Sequence, residues 1–249
     1  MNPVEVIPLH PLFGATLVGY FGNGVLAFRL GELLRAYSVA KGRQITVMQA
    51  FGTVILERIL DLLCVVLILA LTFPWFPFED DYIRFGAFVF TGITVFLIVL
   101  IFFTAHFNWL GKIEQLAIFN SLYGQKLFSA INRMFEGITI IKKTNHAGLV
   151  ILSSLMLWGF YYCSTMIALD VCGLSLGFIG TGILLALSGI VIGIPALPGS
   201  IGTYDAGIKY SLIMVFNIAS DKALTYAIVS HAISYFPLVL VGAVYFMLG

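Results

Sequence analysis

Charge is what this sequence lacks. Lys and Arg together number 13, Asp and Glu 12, and charged residues make up only 10% of the 249. A water-facing domain carries roughly 25%, so water does not cover this surface. With 60% hydrophobic residues and a mean hydropathy of +1.04, lipid is the solvent that fits. The long apolar runs also lack the alternating polarity of barrel strands. An open sheet would leave backbone amides unpaired in hydrocarbon, at a cost of several kcal/mol each. The fold class expected is therefore all-α, a polytopic transmembrane helix bundle.

Other absences narrow the function. A net charge of +1 and no arginine- or lysine-rich arm argue against nucleic acid as a partner. Cys64, Cys163 and Cys172 lie in or beside apolar segments, without CxxC or Cys/His ligand spacing. They read as small buried hydrophobes, not as a disulfide framework or metal site. No cofactor is expected. No nucleotide-binding motif is present, which argues against ATP-driven transport by this chain alone. Residues Met1 to Glu5 lack the basic region of a cleavable signal, so insertion is expected to rely on the first internal apolar helix.

What is present is a series of apolar segments at 11–28, 46–73, 83–104, 148–169, 174–194, 204–219 and 224–248. A crossing needs about 20 residues, so 11–28 and 204–219 are short and open to a re-entrant reading. Pro195 and Pro198 break the uncharged run from Val171 to Tyr204. One integral membrane domain, 1–249, is expected, with pseudo-repeats around 11–73 and 174–248. Arg29, Arg35, Lys41 and Arg43 follow the first span, and five lysines and arginines fall within 105–147, whereas Glu79-Asp80-Asp81 is acidic. The positive-inside rule places the basic connections in the cytoplasm of a cell-membrane protein. Segment 105–147, too polar to span, reads as amphipathic helix on that interface or as a loop helix capping the bundle.

Within this apolar chain a few charges are out of place. Glu57, Arg58 and Asp61 fall roughly 16–22 Å into span 46–73, inside the hydrocarbon. Glu57 and Asp61 share a helix face. Burial of each ionised group there costs about 2.5–3.5 kcal/mol on insertion scales, so they must pair, face a wet cavity, or bind a charged ligand. Arg29, Glu32 and Arg35, spaced by three, form a second set. They read either as interface charges or as a phosphate cradle in which Gly31 allows close backbone approach. Near the other end, Gly199-Ser200-Ile201-Gly202 precedes a helix carrying Asp205 and Lys209, a place where free N–H groups can meet an anion. His231 alone of the four histidines sits in an apolar helix, as an interhelical polar contact or a proton or ligand site.

Leu26-Ala27-Phe28-Arg29-Leu30-Gly31 aligns with Leu197-Pro198-Gly199-Ser200-Ile201-Gly202, and Glu57-Arg58 falls near the place of Ser230-His231. Paired helix breaks of this kind point to a transporter's central site. Counting crossings leaves parallel and inverted repeats both open.

Three stretches carry a family resemblance: Asn23 to Ala36, Glu57-Arg58-Ile59-Leu60-Asp61, and Leu197 to Ala206. They resemble the N-x-x-L-P-x-R-x-G-E-x-x-R-A, E-R-x-x-D and L-P-G-x-x-G-x-x-[DE]-A patterns of the lysylphosphatidylglycerol synthase transmembrane region, over nearly the whole chain. The resemblance implies a bundle that binds or flips a lipid. The lipid would be an anionic or aminoacylated phospholipid or a polyprenyl-phosphate-linked one. Arg29, Glu32, Arg35, Glu57, Arg58, Asp61, Gly199, Gly202, Asp205 and His231 would form its site. Ala27 replaces the family's usual proline, and His231 its usual arginine. Family members commonly carry further helices ahead of the first motif, which leads to the expectation of a shortened form. No aminoacyl-transfer domain accompanies the motifs, so a non-enzymatic role is expected, with membrane lipids and a lipid-modifying transferase or glycosyltransferase as partners. An intramembrane enzyme using Glu57 or Asp61 as base, or a scaffold subunit, is the alternative.

Overall fold

A computed structural model describes residues 6–72, 81–82, 85–86, 88–89, 92–93, 96, 147–194 and 197–248. Among these the regular structure is all helical. Seven helices are α1 (Leu9–Val25), α2 (Gly31–Ala40), α3 (Val47–Thr72), α4 (Ala147–Val171), α5 (Gly177–Gly193), α6 (Thr203–Phe216) and α7 (Ser220–Leu248). Pro195, segment 105–146 and most of span 83–104 lie outside the described residues.

Local chemistry sets the ends. Thr46 and Gln49 form a capping box at the start of α3: the Thr46 hydroxyl accepts from Gln49 N–H at 3.2 Å, and Gln49 Oε1 accepts from Thr46 N–H at 2.9 Å. Asn217, in the left-handed region at φ 56°, ends α6, with Ile218 N–H returning to Leu212 O. Only three residues then separate α6 from α7.

The side chains turned outward are apolar. Phe160, Ile167, Phe178, Met214 and Leu240 are each more than half exposed. Helix α4 is apolar along its length yet presents almost all of it to the outside. Such a surface is unstable in water and natural in lipid. Tighter cores lie between helices, where Leu169, Leu184, Ile208 and Leu212 are almost fully enclosed.

Six helices close a ring in the order α1, α2, α3, α5, α6, α7, with α4 against α3, α5 and α7. Facing residues fix the directions. Gly22 opposes Gly31 while Gly19 opposes Arg35, so α1 and α2 run antiparallel. Gly14 opposes Tyr245 and Gly24 opposes Tyr235, so α7 is antiparallel to α1. Gly182 meets Thr72 and Gly189 meets Val65, setting α5 against α3, and the Gly180–Phe216 and Gly207–Val191 contacts set α6 against α5. Arg35 pairs with Glu57 and Arg58 with Glu32, which sets α2 against α3.

Two like units follow. A 17-residue helix, a three-residue 3₁₀ turn and a shorter helix form a hairpin, and a long helix comes next: α1, Ala27–Arg29, α2, α3, and again α5, Pro198–Ser200, α6, α7. Because α1 runs with α3 and α5 runs against α3, the two units are inverted. The question that counting crossings leaves open is settled by α2. Residues 31–40 turn the chain back, where the sequence reads as a basic connection.

The turns themselves match. Phe28 and Arg29 have φ of 56° and 57°, and Gly199 and Ser200 have 64° and 56°. A left-handed conformation costs a non-glycine residue about 1–2 kcal/mol, so three of these four positions are strained. The two turns touch each other. They lie level with the middle of the long helices, since Arg58 follows Val47 by eleven residues in a 26-residue helix.

Candidate functional site

The charges of α2 and α3 meet where the first hairpin ends. Arg35 Nη1 binds both Glu57 oxygens, at 2.9 and 3.0 Å. Arg58 reaches three carboxylates: Glu57 at 2.6 Å, Asp61 at 3.0 Å and Glu32 at 3.6 Å. Arg29 approaches Glu32 at 3.5 Å. Trp158 of α4 donates its indole N–H to Asp61 at 3.2 Å. Three guanidinium groups and three carboxylates thus form one cluster of balanced charge at the middle of α3. This pairing is how the buried charges survive.

Pairing does not exhaust the cluster. Among the described residues Arg29 has a single, long contact to one carboxylate, leaving most of its five N–H donors available. A half-open cavity of about 40 Å³ lies beside the cluster, walled by Thr16, Gly19, Tyr20 and Asn23 of α1 and by Arg29, Glu32, Arg35 and Arg58. It holds roughly two or three waters. Among the described residues, two buried polar atoms of its wall residues lack a hydrogen-bond partner: Asn23 Oδ1, which packs on Gly31, and Arg58 Nε, which comes no nearer to Glu32 than 3.6 Å. An unmatched acceptor and an unmatched donor on residues that wall a polar cavity are groups whose bonding a water or a polar ligand can complete.

Gly31 has a different task from the one its sequence position suggests. A Cβ on Gly31 would collide with Gly19 O and Asn23 N, and lie 2.6 Å from Asn23 Oδ1. The room left by the missing side chain is filled by α1, so Gly31 closes the hairpin instead of admitting phosphate. Arg29 and Arg35 are likewise not interface charges, because Glu57 and Arg58 hold their cluster at mid-helix depth.

The second hairpin builds a separate cluster. His231 Nδ1 lies 2.9 Å from Asp205 Oδ1, and Nε2 lies 2.9 Å from Gly199 O. The other Asp205 oxygen accepts Gly202 N–H at 3.0 Å. That N–H, expected to be free for an anion, is therefore engaged by a carboxylate of its own helix. Tyr204 and Tyr235 flank the imidazole, with ring centroids 4.7 and 5.6 Å away. Tyr235 also donates to Gly24 O at 3.1 Å, tying the two halves together. Gly199, Gly202, Asp205 and His231 come together with one another, but they do not line the cavity beside Arg29.

Sequence reasoning missed Tyr20 and Trp158. Trp158 lies 97 residues from Asp61 with no local signal to join them. Tyr20 and Asn23 carried one legible hint: a polar residue three apart on an otherwise apolar glycine-rich helix, the same face that meets α2.

Residues 4–242 match the lysylphosphatidylglycerol synthase TM region family. The chain belongs to that family. A curated relative, UPF0104 membrane protein MJ1078 of Methanocaldococcus jannaschii, is 26% identical over 235 residues, covering 91% of this chain and 93% of the relative. No solved structure matches. As a member of the family the chain is a helical membrane protein with a lipid-related role. The three stretches of motif now have places: the first forms the hairpin tip and α2, the second the middle of α3, and the third the tip of the second hairpin.

Proposed function

We propose that this family member carries a lipid with an anionic head group between the leaflets of the cell membrane. The head group is a phosphate diester or monoester, of a phospholipid or of a polyprenyl phosphate, and its cationic substituent, where there is one, meets Glu32, Glu57 or Asp61. The observation that carries this reading is the meeting of two inverted, broken hairpins at mid-depth, beside a charge cluster that opens to the outside. Inverted repeats with broken helices at the midplane are the architecture of carriers that alternate their access. Arg29, with donors to spare, is the first contact for phosphate oxygens. Arg35 and Arg58 supply further forked donors when a phosphate takes the place of a carboxylate.

The cavity of about 40 Å³ is smaller than a head group. Loading therefore needs the hairpins to part, and the strained tips are where the backbone can give. The acyl chains remain in the bilayer along the apolar outer face. No residue is assigned a catalytic role. The basic connection at Lys41 and Arg43 and the basic segment 105–147 support a cytoplasmic placement of both. Partners are membrane lipids, together with a transferase that makes or uses the carried lipid.

Reconstitution into liposomes containing a fluorescent phosphatidylglycerol tests the proposal, with a membrane-impermeant quencher reporting the outer leaflet. Movement faster than in protein-free vesicles, and slowed in Arg29→Ala, is expected. Equal rates with and without protein, for phosphatidylglycerol and for a polyprenyl phosphate, would sink it.

A further inference from the structure

The second hairpin tip places an imidazole between two oxygens that only accept. A carbonyl such as Gly199 O has no proton to give. Nε2 of His231 must therefore carry one, at 2.9 Å. The other nitrogen faces Asp205 Oδ1 at the same distance, and an ionised carboxylate also only accepts. Both bonds form together only if the pair holds one proton more than neutral imidazole plus carboxylate. That proton sits on Nδ1 as imidazolium or on Asp205 as the acid. The proton count is the same in either case.

We propose that His231 and Asp205 form a one-proton binding site that latches the second hairpin tip, and that loss of the proton releases the Pro198–Ser200 turn. With the proton present, the pair is neutral, and Gly199 O and Asp205 are both bonded. With it gone, the one remaining ring proton goes to the charge-assisted Nδ1–Asp205 bond, Nε2 confronts Gly199 O lone pair to lone pair, and the His231–Gly199 contact opens. The tip is poised to move, because Gly199 and Ser200 are held at positive φ and the turn rests against the first hairpin tip.

Helix α6 presents Asp205 and Tyr204, and Lys209 stands one turn beyond Asp205. Helix α7 itself adds Ser230 and Tyr235. The facing part of α1 contributes Gly24 O through Tyr235, α5 contains no ionisable residue, the touching tip of the first hairpin carries Arg29, and α4, which also packs on α7, carries Tyr161, Tyr162, Cys163 and Asp170. In the first half the equivalent place is held by Arg58, a permanent cation bound to three carboxylates. One half thus carries a fixed charge and the other a removable one. Given the lipid-carrying reading above, on which this step alone rests, a proton bound and released in each cycle couples lipid movement to a pH gradient.

The test uses the full chain in lipid nanodiscs with ¹⁵N-histidine and ¹³C-glycine labels, His231 being identified by its loss in H231Q. Expected is a single titration in which the His231 ring nitrogens and the Gly199 carbonyl shift together. In D205N the carboxamide can donate to or accept from Nδ1, so the Gly199 contact persists across the whole pH range. A His231 that stays one neutral tautomer from pH 5 to 8, with an unshifted Gly199 carbonyl, would overturn the latch. In liposomes, an imposed pH gradient is expected to change the lipid rate by up to about tenfold per unit, and H231R is expected to move lipid without that response. Titration without any lipid movement supports the latch and refutes the carrier reading. Lipid movement indifferent to the gradient, in a protein that titrates, overturns the coupling.

Discussion

Arg58 and His231 occupy equivalent places in two inverted halves. Arg58 follows the first residue of its long helix by eleven, His231 does the same in α7, and each faces the broken tip of the hairpin before it. Each is held by a carboxylate from the short helix of its own hairpin: Glu32 at 3.6 Å for Arg58, and Asp205 at 2.9 Å for His231. The difference lies in bonding. Arg58 binds two further carboxylates of α3, whereas His231 has a backbone carbonyl.

Removal of Arg58 tests the cluster. Arg58→Ala leaves Glu57, Asp61 and Glu32 without their shared cation, which for a partly exposed network costs about 1.5–3 kcal/mol, less than for a fully buried one. The expected outcome is a large fall in the thermal midpoint of detergent-solubilised protein. Arg58→Gln combined with Asp61→Asn, which removes one charge of each sign, recovers part of that loss.

Gly31→Ala tests the hairpin. The added methyl meets the backbone of α1 at Gly19 and Asn23, which cannot step aside as a flexible side chain would. Destabilisation of about 1–3 kcal/mol or more is expected, by the cost of overpacking. Gly159→Ala, on the outer face of α4 with nothing within 4 Å, is the control and is expected to leave the melting temperature unchanged or slightly raised.

Tyr235→Phe tests the tie between the halves. It removes one hydroxyl and its bond to Gly24 O while keeping the ring beside His231. A loss of about 0.5–1.5 kcal/mol is expected from that bond. Hydrogen exchange should rise at both hairpin tips together, since each loses its brace.

Much of this architecture is legible from sequence. Hydropathy finds α3, α4, α5 and α7, and the charged triplet in α3 announces itself by depth alone. The match of the two turns also shows, because each lies inside the same Leu-x-x-x-x-Gly pattern, Leu26 to Gly31 and Leu197 to Gly202. Helix α2 did not show. Glu32 and Arg35, with Arg29 of the turn before them, make 29–35 too polar for a membrane segment, and hydropathy sums one segment at a time. The compensating charges sit on α3, 22 to 26 residues away. The same blindness hides the link from Asp61 to Trp158, and it leaves the direction of the repeats undecided until α2 is seen to turn the chain back.

An anionic head-group site at mid-helix depth, with Arg29 as its spare cation, is open to lipid mass spectrometry of the purified protein. Wild type and Arg29→Ala should fold alike, because Arg29 gives up only one 3.5 Å contact and Glu32 keeps Arg58. The prediction is about one tightly held anionic lipid per wild-type chain, as expected for one site per chain, and its loss from Arg29→Ala at equal stability. The same anionic lipid retained equally by both proteins would contradict the account.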